Sequence, residues 1–329
     1  MTQTLVSGAA GSPDPAPRPT RVAERRGAGW ALPALLQLVA MAGLGALLYS
    51  PAADWFSTLH HDGEVSGYVR EVDALPESTR LGALDAAREY NAHLPAGVLR
   101  DPYADDAVDD ELLADAGYRA YEQVLSVGDS GVIGRLGYPR LGIGLPVYHG
   151  TSDAVLSKGV GHLYGSSLPV GGPSTHAVLT SHSGLVRASL FTPLTEARLG
   201  DVFQLVVLGE THYYEVDRIE TVLPEQTESL AIVDGEDYVT LITCTPIGVN
   251  SHRLLVRGVR VPPPDGAGDR AVAGDGRTAG FPWWAAGFAA GSGIVALLLF
   301  APSRCASDRR RDPDAAANRG GSRTAPAGG

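Results

Sequence analysis

Cysteine is scarce in this chain: two occur among 329 residues, Cys244 and Cys305. So few thiols exclude a disulfide-stapled scaffold, and the fold has to rest on buried apolar surface. The nine histidines show no metal-ligand spacing and have no cysteine cluster beside them, which argues against a zinc centre, and nothing calls for another cofactor. Positive charge is also in deficit. With 26 Lys+Arg against 37 Asp+Glu the formal net charge is −11, and arginines gather at the two ends, leaving the middle more acidic still. Such a surface argues against nucleic acid as a partner. No internal repeat is found.

What the chain does have is two long apolar runs. Residues 30–49 (WALPALLQLVAMAGLGALLY) are broken only by Pro33 and Gln37, and residues 281–301 (FPWWAAGFAAGSGIVALLLFA) carry no charge. About 20 residues at helical rise cross one bilayer, so each run reads as a transmembrane helix. Arg18, Arg21, Arg25 and Arg26 precede the first; Arg304, Arg309, Arg310 and Arg311 follow the second. The positive-inside rule then predicts a two-pass plasma-membrane protein with both termini cytoplasmic, and places Trp55, Trp283 and Trp284 in an outer aromatic belt. Ser50-Pro51-Ala52 offers small residues for signal cleavage, but the first run exceeds the usual h-region of about 7–15 residues. Gly287 and Gly291 form a small-xxx-small pair suited to helix packing. In this topology Cys244 lies outside and Cys305 inside, so they cannot bridge. An unpaired exported thiol points to a reactive one, whereas Cys305 reads as an acylation site or a tail residue.

Composition divides the rest. Residues 1–29 and 302–329 are Pro-, Gly-, Ala- and Arg-rich and read as disordered cytoplasmic tails. Residues 50–127 form an extracytoplasmic helical region, with Leu81, Leu84, Ala87 and Tyr90 on one face and Leu112, Leu113, Tyr118 and Tyr121 on another. Residues 128–260 change to short apolar runs broken by glycine and proline, at 132–133, 141–143, 154–156, 176–179, 202–207, 213–216, 238–242 and 253–256, with a helical interruption near 184–194. Eight such runs imply a mainly β closed barrel or sandwich. Residues 261–280 are a Pro/Gly/Asp linker back to the membrane.

Cys244 closes one β run (TLITCTP, 240–246), and Arg253 opens the next (NSHRLLVRG, 250–258) nine positions later. A thiol nucleophile needs a base or cation, because the free thiol titrates at about 8.5. Arg253 offers a planar fork of donors for an oxyanion or carboxylate. For the base, His182 lies just past the run at 176–179, at a strand end. His176 sits six positions earlier, about 20 Å away along an extended strand. His252 should face away from the pocket that Arg253 enters; His149 and His162 read as structural.

These stretches, together with GHLYGSSLP (161–169) and VLTSHSGL (178–185), resemble the sortase signature, and its class C, pilin-polymerising branch in particular. The resemblance covers roughly residues 60–260 and the C-terminal anchor. It implies a sortase-type closed barrel of about eight strands with N-terminal helices, flanked by the two transmembrane helices. It implies Cys244 as nucleophile, His182 as acid and base, and Arg253 as oxyanion binder. Asp101-Pro102-Tyr103, in LRDPYADD (99–106), resembles the class C lid, about 99–111, in which Asp101 pairs with Arg253 and Tyr103 covers Cys244. On residues alone, Asp105, Asp106, Asp109, Asp110 and Glu111 also fit a solvated helix-capping run.

The implied activity, at a Gram-positive cell surface, is cleavage of an LPXTG-type sorting signal through a thioester and transfer to an amine, a pilin lysine, with surface or pilin proteins as substrates. The alternatives are a housekeeping sortase using a cell-wall peptide amine on peptidoglycan, a cysteine peptidase, or a non-enzymatic β-domain that binds surface proteins. Ser181 stands where glycine is usual in the family, Ser183 where arginine is common, and Ile247 where class C members often show tyrosine. These departures bear on substrate preference.

Overall fold

The computed structural model describes residues 30–94, 99, 101–103, 115–264 and 279–301. Both tails with Cys305, most of the linker, Leu112, Leu113 and the acidic positions Asp105, Asp106, Asp109, Asp110 and Glu111 lie outside the described residues. The chain divides into two compact units, residues 45–289 and the two ends beyond them.

In the larger unit eight strands close into a barrel: β1 (Val132–Tyr138), β2 (Ile143–His149), β3 (Val160–His162), β4 (Thr175–Thr180), β5 (Val202–Val207), β6 (Glu210–Val222), β7 (Asp237–Thr245) and β8 (His252–Val261). The order around the barrel is β1-β2-β3-β4-β7-β8-β6-β5, with β5 returning to β1. Two pairings are parallel, β2 with β3 and β4 with β7. The sequence already differs between the two situations. β5 alternates Phe203, Leu205 and Val207 inward with partly exposed neighbours. β4 is buried along its whole length, because the parallel pair is covered on both faces.

Four helices among the described residues precede the barrel, α1 (Ala31–Leu47), α2 (Tyr49–Ala74), α3 (Glu77–Ala92) and α4 (Ala116–Gln123), and α2 packs on β1 and β2. Tyr68 of α2 donates to Ile133 O at 3.1 Å and accepts from Leu208 N at 2.8 Å, fastening the helix to β1 and the β5–β6 turn. Leu84 and Ala87 of α3 are fully buried, as their spacing predicts, whereas Leu81 is 45% exposed. Asp115 caps α4 through Gly117 N at 3.2 Å. Its Tyr121 meets His162 Nδ1 at 2.8 Å and receives Gly150 N at 3.1 Å. His162 is thus fastened inside the packing, with its Nε2 also 2.8 Å from Ser167 O.

Of the eight runs expected to be strands, 141–143 reaches β2 only at Ile143, since Leu141 ends a 3₁₀ turn capped by Gly142, and 154–156 is not a strand at all. It is the short helix α5 (Asp153–Leu156), entered from Ser152, while the strand that completes the barrel is β3. The helical interruption expected near 184–194 is a 3₁₀ turn at Thr192–Glu196.

The second unit pairs residues 30–44 with 290–301 among its described residues. Gln37 Nε2 donates to Ser292 O at 3.0 Å, and Gly291 lies against Leu44. The C-terminal apolar helix α6 (Trp283–Phe300, 18 residues) is long and apolar enough to cross a membrane. At 17 residues α1 passes that test only when taken together with α2, beyond a break at Leu48. Trp55 and Trp284, two of the tryptophans expected at an outer interface, have ring centroids 6.3 Å apart, and Trp55 Nε1 donates to Gly280 O at 2.7 Å.

Candidate active site

Strands β4 and β7 run in the same direction, so their C-terminal ends meet at one end of the barrel. β7 there delivers Cys244, and its antiparallel partner β8 sets Arg253 directly across from it. The chain leaving β4 is held against the same end: Ser181 N donates to Ile242 O at 3.3 Å, Thr243 Oγ1 to Ser181 O at 2.9 Å, and Ser183 Oγ to Cys244 O at 2.7 Å. His182 lies between these anchored neighbours. The topology thus brings together the cysteine, arginine and histidine expected from sequence.

Cys244 and Arg253 are 7% and 8% exposed. Burial pushes the Cys244 thiol up, the Arg253 guanidinium pulls it down, and Asp101 beyond it pushes it up again; the net direction is upward. A charge buried this deeply needs a partner. Arg253 finds it in Asp101, with Nε on Oδ1 at 2.9 Å and Nη2 on Oδ2 at 2.6 Å, while Nη1 donates to Asn250 O at 3.0 Å and His252 O at 3.2 Å.

Tyr103 lies over the floor of the site. Its hydroxyl donates to Ser181 O at 2.7 Å, with Ile242 O 3.3 Å away, and accepts from Thr180 Oγ1 at 2.7 Å. Its ring is 4.9 Å from the Arg253 guanidinium and 5.8 Å from the His182 ring. Leu99 and Tyr103 pack on Leu163, Val178, Leu230, Ile242 and Leu255, a second small apolar cluster. The Asp101–Arg253 pair is the one the lid expectation names, and Tyr103 lies beside Arg253 and His182; the remainder of 99–111, apart from Leu99 and Pro102, lies outside the described residues.

For His182 the sequence reading missed a partner. Nε2 meets Asp153 Oδ1 of α5 at 3.0 Å, and in this arrangement Asp153 rather than Cys244 is the hydrogen-bond partner of the ring. The misassigned run at 154–156 concealed that carboxylate. His176 is held by Ala231 O at 3.0 Å and Thr240 Oγ1 at 2.7 Å, away from the site, and His252 pairs with Ser251 Oγ at 2.9 Å. Among the described residues no group of His, Cys, Asp and Glu could hold a metal ion.

A thiol held beside a fixed cation is suited to cysteine acyl transfer, in which the arginine offsets charge developing on a carbonyl oxygen. Comparison with known proteins agrees. Residues 136–261 match the Sortase domain family. Sortase C-1 from Actinomyces oris shares 46% sequence identity, with 56% of this chain and 99% of that one covered, at a TM-score of 0.52. Sortase C1 from Streptococcus agalactiae shares 40%, with 62% and 97% covered, at a TM-score of 0.55. Sortase A from Streptococcus agalactiae is 32% identical over 117 residues, 35% of this chain and 47% of that protein, so the match spans about half the length of this curated relative. The chain belongs to the sortase family, whose members are cysteine transpeptidases, and the two solved structures are of its class C branch.

Proposed function

We propose that the protein is a membrane-anchored, class C type cysteine transpeptidase. Cys244 attacks the Thr–Gly bond of an LPXTG-type sorting signal and forms a thioester. His182 protonates the leaving amine and then deprotonates the incoming one, which is a pilin lysine. Arg253 holds the carbonyl oxygen as it becomes an oxyanion. The observation that carries this reading is the cross-strand pairing of Cys244 with Arg253 beneath Asp101 and Tyr103. Supporting the membrane reading are the apolar helix α6, the apolar α1 and the arginines flanking both. On that reading both helices span, both termini are cytoplasmic and the barrel is outside. The curated match to a Sortase A favours one rival, a housekeeping enzyme with a cell-wall peptide amine as acceptor.

The test uses the full chain in vesicles with an LPXTG-type peptide, offered a pilin-derived lysine peptide or a cell-wall peptide amine, with products identified by mass. The expected result is an isopeptide product on the pilin lysine that disappears in Cys244→Ala and Arg253→Ala. Product on the cell-wall amine alone selects the housekeeping enzyme, and release to water regardless of amine selects a peptidase. Surface-protein binding that survives Cys244→Ala without any cleavage selects the non-enzymatic domain.

A further inference from the structure

Residues 182–190, the loop that carries His182, are pinned at two points to the first turns of α2. Ser50 Oγ donates to Val186 O at 3.1 Å, and Ser189 N donates to Asp54 Oδ1 at 2.7 Å. Ser50 is the first residue after the apolar run at 30–49, and Asp54 lies one helical turn on, about 6 Å along the axis. The polar headgroup layer of a bilayer is roughly 5–8 Å thick on each side. A loop fastened to that stretch of helix therefore lies at headgroup depth if α1 spans.

The tip of the loop has the composition for that position. Val186 is 61% exposed and Arg187 is exposed beside it, an aliphatic side chain next to a fixed cation. In water the exposed valine has no partner, whereas at a bilayer surface the valine meets acyl chains and the arginine meets phosphates. The neighbouring α2 surface continues the pattern: Phe56, 54% exposed, has its ring 5.0 Å from Trp55 and 5.7 Å from Trp284, rings suited to the membrane–water boundary. The loop is also linked to the cysteine side of the site, because Gly184 lies so close to Ile247 that no Cβ fits between them.

We propose that the Val186–Arg187 tip is a membrane-surface contact, seated among phospholipid headgroups by the Ser50 and Asp54 hydrogen bonds, so that His182 and Cys244 work at the height of the bilayer surface. The inference rests on the reading of α1 and α6 as spanning helices.

The test places a single thiol at the tip (Val186→Cys) of the full chain carrying Cys244→Ala and Cys305→Ala, so no catalytic activity is needed. The control thiol is Val233→Cys, 45% exposed just before β7, about 20 Å of strand away from Cys244. Each is labelled with a fluorophore and reconstituted in phosphatidylcholine–phosphatidylglycerol vesicles containing a headgroup spin-labelled lipid. The expected result is at least threefold quenching at 186 and little at 233, with quenching at 186 reduced by Ser50→Ala plus Asp54→Ala while the protein still floats with the vesicles. Equal, weak quenching at both positions in protein that floats overturns the loop contact and leaves the membrane reading standing. Protein that does not float overturns both.

Discussion

Replacing the two residues proposed to cover the thiol, with Asp101→Ala and Tyr103→Ala together, should expose Cys244 and lower its pKa. The Tyr103 hydroxyl makes two short hydrogen bonds, to Ser181 O and from Thr180, and such bonds contribute about 1 kcal/mol each. The Asp101 and Arg253 side chains are 12% and 10% exposed, and breaking a buried pair by removing one partner costs about 3 kcal/mol. Together about 5 kcal/mol holds the cover down, which at 1.4 kcal/mol per decade is more than a thousandfold in the closing equilibrium. The thiol itself shifts as well. Burial and Asp101 both disfavour the thiolate, so losing both moves the titration to lower pH. Each unit of that shift gives about ten times more thiolate below the pKa and costs about threefold in nucleophilicity, a net gain of about threefold. The assay is the second-order rate of iodoacetamide alkylation, followed by intact mass from pH 6 to 9 on full-length protein lacking Cys305. We expect at least a hundredfold rise near neutral pH, with the profile displaced to lower pH and each single variant in between. An unchanged rate and profile would refute the argument that Asp101 and Tyr103 guard the thiol.

Further outcomes follow from the packing. Tyr121→Phe leaves Gly150 N and the His162 groups without their partner, a loss of about 2 kcal/mol, read as a thermal midpoint lower by about 4–8 °C; no change would show that water replaces the hydroxyl. Stability should fall on acidification. Burial lowers His61, His149 and His212 to about 4 and His162 to about 3, so below their unfolded value of 6.5 the unfolded chain takes up protons that the folded one refuses. Each such group removes about 1.4 kcal/mol per pH unit between 6.5 and its folded value. The thermal midpoint should therefore be flat above pH 7 and fall steeply between 6 and 5, and a flat profile down to pH 5 contradicts the neutral burial of these rings. A Cβ at Gly258 would sit 2.6 Å from Phe203 Cε1 and 2.9 Å from Tyr214 Cβ, so Gly258→Ala should cost about 1–3 kcal/mol of overpacking, measured by urea unfolding.

What could be read from sequence was what has a local signature. β5 was legible to the residue because Phe203, Leu205 and Val207 alternate with their neighbours. Cys244 and Arg253 could be paired because a short turn joins two antiparallel runs and fixes their register. β3 was not legible: Val160, Gly161 and His162 are too few to show a period, and they are a strand only because β2 and β4 lie on either side. Ala154, Val155 and Leu156 were misread because a helix of 4 residues is also too short to show its repeat, although Ser152 at its entry is a capping residue type. The Asp153 contact to His182 spans 29 positions and the Asp101 contact to Arg253 spans 152. Neither follows from local pattern, and Asp101 was reached only through family resemblance.

The two carboxylates at the site differ in a way that orders its opening. Asp153 is 77% exposed, and a hydrogen bond to so exposed a group contributes about 1 kcal/mol or less, so His182 can leave it readily. Asp101 is 12% exposed and grips Arg253 with two parallel bonds, a contact that bulk water cannot replace without solvating a buried cation. On the proposed mechanism, release of the arginine is therefore the costly step, and swinging the imidazole toward Cys244 is the cheap one. A neutral substrate carbonyl is a weaker acceptor than the carboxylate it displaces. It prevails only when the rest of the substrate replaces what Tyr103 and Leu99 contribute on the apolar cluster of Leu163, Val178, Leu230, Ile242 and Leu255. Occupancy of that floor and freeing of Arg253 are then one event, and a peptide that fills only one of the two should neither open the site nor react.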